Sequence, residues 1–241
     1  MKTSLKLIVS LFALSLTSCN GNWNLINGIE GSGNVITEKR SIDGSFTKIE
    51  ASVGIEVIVE QGSPYEIEVE ADDNVMKHII TKVENGTLKV KIENNIITME
   101  DVIVRVKTNT IEGLEASSGA SIKALKKLTG TNLSLKTSSG SKVEAELEYE
   151  SVSCESSSGS EIKISGKALK LTTSSSSGSN IDAEKLASNE ITAQSSSGSS
   201  ITVSPIVLLN AKATGGSAID YVKEPRKIIK EEASGGSVKL N

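Results

Sequence analysis

Few groups in this chain have the chemistry to act on a substrate: two cysteines, Cys19 and Cys154, one histidine, His78, and serines that recur beside glycine. The serines come as Ser-Ser-Gly-Ser, or a near copy, at Gly119, Gly140, Gly159, Gly178, Gly198, Gly216 and Gly236. A nucleophilic serine needs a general base beside it, and the only histidine lies well before these strings. A phosphate-cradling glycine loop opens onto a helix, whereas each string here runs into a β-branched segment. Glycine permits a sharp bend, and small neighbours let successive bends stack. The strings therefore read as structural corners. Glu144, Glu146, Glu148 and Glu150 alternate with Val143, Ala145, Leu147 and Tyr149. That is the wet face of one half-buried strand more than a metal site. Cys154 reads as a small buried hydrophobe, because a reactive thiol needs an activating partner. The sequence thus offers no catalytic residue, no metal ligands and no cofactor site, and it assigns no ligand-binding residues.

Cys19 is different. Lys2 and Lys6 make a positive start, and Leu7 to Leu16 is an apolar run. Such a run is too short for a membrane-spanning helix, which needs about 20 residues, and suits a signal-peptide core. It ends in Leu16-Thr17-Ser18-Cys19, which resembles the bacterial lipobox. The resemblance implies removal of residues 1–18, lipidation of Cys19 and attachment to a membrane through it. Asn20 follows, and by resemblance to bacterial sorting signals it favours the outer membrane in the cell envelope. Residues 19–33 are rich in Asn and Gly and read as a flexible tether. Without Lys2 and Lys6, 24 of the 26 basic residues face 30 acidic ones. An acidic balance argues against a nucleic-acid partner, which selects a basic stripe.

These groups must be positioned by something, and the corners indicate what. Their intervals are 21, 19, 19, 20, 18 and 20 residues, one coil of a parallel β-solenoid each. Three residues after the glycine stand Ile122, Val143, Ile162, Ile181, Ile201 and Ile219, with Lys239 breaking the pattern in the last repeat. Five after it stand Ala124, Ala145, Ile164, Ala183, Val203 and Tyr221. Seven before it stand Leu133, Val152, Leu171, Ile191, Leu209 and Ile229. Apolar residues two apart mark strands with one buried face. Outward positions support the same register: Glu115, Lys136 and Glu155 precede the glycine by four, and Lys123, Glu144, Lys163 and Asp182 follow it by four. Both columns alternate in sign, as stacked coils about 4.8 Å apart would favour. Aromatics make up only 2% of the chain, so the core is built from Val, Ile, Leu and Ala.

Residues 34–112 are less regular. Ile49, Ala51, Val57 and Val59 around Gly54 look like a degenerate coil, and Asn85-Gly86 reads as a hairpin turn between Ile79–Val83 and Leu88–Ile92. Ala71 to Met76 could form a short helical turn, and Val102, Val104 and Val106 alternate as a strand. The segment Ile49-Glu50-Ala51-Ser52-Val53-Gly54-Ile55-Glu56-Val57, then Val83-Glu84-Asn85-Gly86-Thr87-Leu88-Lys89-Val90, then the recurring corners, resembles the auto-transporter adhesin family with a head GIN domain. The resemblance implies a right-handed parallel β-helix of pectin-lyase-like architecture and a role in adhesion, with no catalytic residues to carry over.

The expectation is an all-β chain whose residues 34–241 form one β-helix domain: irregular coils over 34–112, regular repeats over 113–241. Its expected role is a cell-envelope adhesin or scaffold, acting by contact on a protein or glycan surface without catalysis. The alternative is a β-helix polysaccharide lyase or hydrolase, but the repeats hold one arginine, Arg226, and two aromatics, Tyr149 and Tyr221. The last repeat shows no evident polar cap in the sequence, so its edge is expected to offer self-association with a second chain.

Overall fold

At each corner two successive residues take positive φ, for example Ser158 at 55° and Gly159 at 70°, and Ser177 at 54° and Gly178 at 70°. This pair bends the chain sharply within two residues. The corners then stack on one another: Gly140 N–H donates to Ser158 O, Gly159 N–H to Ser177 O and Gly178 N–H to Ser197 O, each at 3.1 Å. The serine after the glycine points inward. Ser179 Oγ lies 2.7 Å from the carbonyl oxygens of both Ser156 and Ser176 and accepts the Ser176 N–H at 3.1 Å.

Between corners the chain is extended, and the coils pair in parallel. The structure, a computed structural model, describes residues 28–93, 96–97 and 101–241. Over its regular part run β12 (Leu128–Thr137), β13 (Lys142–Ser156), β14 (Glu161–Ser175), β15 (Asn180–Ser195) and β16 (Ser200–Thr214). The solenoid has about seven turns of about 19 residues. Val143, Ile162, Ile181, Ile201 and Ile219 form one unbroken interior column, every member no more than 1% exposed. Leu133, Val152, Leu171, Ile191 and Leu209 form another. Where two neighbours both face out, as at Leu169 and Lys170, the strand turns a further corner.

The final coil departs from the sequence expectation. β17 (Ala218–Tyr221), β18 (Lys227–Ala233) and β19 (Ser237–Leu240) complete the stack. The residues at positive φ there are Ser234 and Gly235, at 52° and 79°, and Gly216 N–H donates to Ser234 O. The corner glycine is therefore Gly235, not Gly236. Gly236 fills the inward serine slot, where a Cβ would come within 2.2 Å of Ala213 O. Moving the marker back one residue replaces Lys239 by Val238, which is buried and paired with Ile219. It likewise replaces Ile229 by Ile228 as the partner of Leu209, leaving Ile229 47% exposed.

The first half holds the same architecture in a different chain order. β3 (Lys48–Ser52) and β4 (Glu56–Gln61) flank Gly54 and pair in parallel with β10 (Gly113–Ser117) and β11 (Ser121–Ala124). On their other side lie β7 (Thr87–Ile92) and β9 (Ile103–Thr108), also parallel. The chain thus lays its second coil first, returns beneath it, and then crosses over to continue. Antiparallel strands close this end: β6 (Ile79–Glu84) on β7 through the Asn85-Gly86 turn, β5 (Glu66–Asp72) on β9, and β2 (Val35–Lys39) on β5. The helical turn expected at Ala71–Met76 is a turn followed by a 3-10 helix at Met76–His78, and it buries Val75 and Met76 over the core. Among the described residues there is no α-helix.

Candidate functional site

Among the described residues, the serines of the corners and the thiol and phenol of the regular coils are taken up by the fold. Ser160 Oγ is buried and lies 2.7 Å from Ser157 O and 2.9 Å from Thr137 Oγ1, so its hydrogen-bonding capacity is spent on the fold. Cys154 is a buried free thiol between Leu135 and Thr173 in an interior column, and burial pushes its pKa up, which keeps it protonated and unreactive. Tyr149 is buried as well; its hydroxyl donates to Ile111 O at 2.8 Å, and burial pushes its pKa up to about 12. Glu144, Glu146, Glu148 and Glu150 face outward as the alternation predicts. Among the described residues no three acidic, cysteine or histidine side chains come together as a metal site.

What remains is the outer surface. The column beginning at Glu115 continues through Lys136, Glu155, Ser174, Gln194, Lys212 and Glu231. Lys136 Nζ stands 3.0 Å from Glu155, and Lys212 Nζ 2.6 Å from Glu231. The second column runs Lys123, Glu144, Lys163, Asp182, with Lys163 3.6 Å from Asp182. Columns beside them add Lys142 to Glu161 at 3.2 Å and Lys170 to Glu190 at 3.8 Å, and Lys127 reaches diagonally to Glu148, which stacks on Thr129, at 2.6 Å. The Lys127 ammonium holds the Glu148 carboxyl below its usual range, and Glu148 raises Lys127 in return. Between the charge columns lie open troughs; one of about 300 Å³ is bordered by Lys123, Glu144, Lys163 and Asp182. A surface of this kind can meet another surface through many weak polar contacts. The alternation breaks where Glu50 stacks directly beside Glu115 and again where Lys82 faces Lys89.

Cys19, the expected leader at 1–18 and residues 19–27 lie outside the described residues. The described part of the expected tether lies against the body. β1 (Ile29–Glu30) pairs with β8 (Ile96–Ile97). Ser32 Oγ donates to Asp73 at 2.6 Å, Asn34 Nδ2 to the same carboxylate at 2.9 Å, and Asn74 Nδ2 to Glu30 O at 2.8 Å. Both donors pull the Asp73 pKa below its usual value. This clasp sits at the end closed by the antiparallel strands.

The family model described as "Putative auto-transporter adhesin, head GIN domain" matches residues 45–225, from before the first corner to within the last coil. The chain belongs to that family. Solved structures agree with a head GIN solenoid in fold. A protein of Bacteroides fragilis named a putative adhesin is 22% identical, with a TM-score of 0.80 over 88% of this chain and 99% of that one. A putative adhesin of Parabacteroides merdae is 21% identical, with a TM-score of 0.73 over 89% and 99%. A Parabacteroides distasonis protein named a putative lipid binding protein is 18% identical, with a TM-score of 0.72 over 88% and 99%. At these identities the likeness concerns the fold. No curated protein matches the chain.

Proposed function

We propose that this head GIN protein is a lipid-anchored module of the bacterial cell envelope, at the outer membrane, that adheres or scaffolds by surface contact and performs no catalysis. The observation that carries this reading is the division of labour in the coil. The interior columns of the regular coils are filled mainly by Val, Ile, Leu, Ala, Ser and Thr, and the outward ones hold ion-paired and hydroxyl-bearing side chains at fixed spacing. The occupant that fits is a protein or glycan surface, not a small molecule.

The anchor follows from Leu16-Thr17-Ser18-Cys19. With the clasp holding residues 30–34 to Asp73 and Asn74, the nine residues from Cys19 to Asn27 reach at most about 30 Å. The antiparallel end would then face the membrane and the last coil would point away. Two measurements test the reading. Radioactive fatty acid should label the wild-type chain and not Cys19→Ala; equal labelling would end the lipoprotein assignment. The mature protein should bind envelope fractions or glycans without consuming them. Sustained cleavage of pectin or another uronate, lost on changing one carboxylate, would replace contact by polysaccharide lysis.

A further inference from the structure

We propose that the last coil is a charged end stop, in which Lys230 and Glu232 occupy interior columns and prevent a further coil or a second copy from stacking there. The corrected register makes this visible. Leu135, Cys154, Thr173, Ala193 and Ala211 form one interior column, and its next member is Lys230. Thr137, Ser156, Ser175, Ser195 and Ala213 form the adjacent one, and its next member is Glu232. Five layers of small or apolar side chains thus give way to an ammonium and a carboxylate in the same layer.

Both charges are tied across the mouth of the solenoid. Lys230 Nζ donates to Tyr221 Oη at 3.0 Å and to Val238 O at 3.1 Å, 4.8 Å from the centre of the Tyr221 ring. The Glu232 carboxylate accepts the Val238 N–H. They join β17, β18 and β19 and remain open to water. A body stacked on this layer would strip that water from two charges whose remaining bonding capacity it could not replace. Inward-pointing charge is a general defence of sheet edges, and this edge needs one: Ile229 is 47% and Leu240 55% exposed beside it. The opposite end is closed by the antiparallel strands. On this proposal the end from which self-association was expected would instead resist a second chain, and the rod would offer its sides. This inference does not depend on what the sides bind.

The test uses residues 20–241, since the solved relatives, covered to 99% of their own length by 88–89% of this chain, fold as bodies of that extent. Light scattering over a concentration series should give the mass of one chain for the wild type. Lys230→Val combined with Glu232→Ser, residue types suited to those columns, should raise the mass at least about twofold as ends associate. The exchange Lys230→Glu with Glu232→Lys keeps charge in both columns and should stay at one chain. If the first variant lacks the wild-type far-UV spectrum, Lys230→Ala and Glu232→Ala are read singly in the same way. Association of the wild type, or single-chain mass in a folded variant without the charges, overturns the proposal.

Discussion

Reversing one charge in an outward column should cost stability in proportion to its stacked neighbours. Lys136 stands between Glu115 and Glu155, with Glu50 next beyond Glu115. Its ammonium is 3.0 Å from Glu155, and the two side chains are 47% and 56% exposed. At that exposure the pair contributes about 0.2–1 kcal/mol. Lys136→Glu removes it and sets a carboxylate between two others, each repulsion being about 0.5–0.8 kcal/mol at ~5–8 Å in water. The carboxylates can swing apart, so the expected loss is about 1–2 kcal/mol at low salt. Urea unfolding at low ionic strength measures it. The loss should shrink near 1 M salt, where the screening length is about 3 Å. Adding Glu155→Lys restores an opposite pair and should recover roughly half, a coupling of at least ~0.5 kcal/mol. If the two changes instead add within about 0.3 kcal/mol, these residues do not act as stacked neighbours, and the energetic account of the columns fails.

Two further outcomes follow from local geometry. Val53 takes φ of 64° at the Gly54 corner, where most other corners place Ser, and is 46% exposed. Val53→Gly should therefore raise stability by about 0.5–1.5 kcal/mol, the relief of a strained β-branched residue less the added freedom of the unfolded chain; a lower urea midpoint would contradict this. Asp73 is held below its unfolded value by Ser32 and Asn34, so its clasp is fully formed above the unfolded carboxylate range near pH 4 and is lost as pH falls through the lower folded value. NMR amide signals of Ser32 and Asn34 should move on acidification towards the positions they take in Asp73→Ala at neutral pH; invariance in both experiments would refute the clasp.

The coil register was legible because the period is local. A Gly in each corner and apolar residues three and five places later need no knowledge of distant contacts, and Ile162 or Val143 is placed by its own neighbours. Legibility stopped where two residues could play one role. In Ser234-Gly235-Gly236 either glycine satisfies the pattern, and only the backbone shows that Gly235 makes the bend while Gly236 yields room to Ala213 O. That single slip hid the inward course of Lys230 and Glu232 behind a false break at Lys239. The serines posed the same ambiguity. The pattern assigns them to corners without saying which way each points, and Ser141, Ser160, Ser179, Ser199 and Ser217 are buried, because a hydroxyl can face inward wherever corner carbonyls receive it. The chain order of the first half was illegible for another reason: pairing β7 and β9 beneath β3 and β4 is a long-range choice that no local pattern records. The outer surface was read in its charge columns, but not in its limits at either end.

The columns also constrain how such a surface binds. Each lysine that sits 2.6–3.8 Å from a stacked carboxylate already has a counter-charge, so an incoming group must compete with a neighbour held in place by the core. The alternation cancels the field over a few ångströms, which removes long-range steering and leaves close-range complementarity as the source of selection. On the proposed contact role, one face of one molecule would then bind weakly. Attachment of many copies to one membrane through Cys19 would turn weak contacts into firm adhesion, since each bond after the first forms at a raised effective concentration. On this reading the lipid and the solenoid are parts of one mechanism: the core holds the outward side chains in register, and the anchor supplies the number of copies that their modest individual affinity requires.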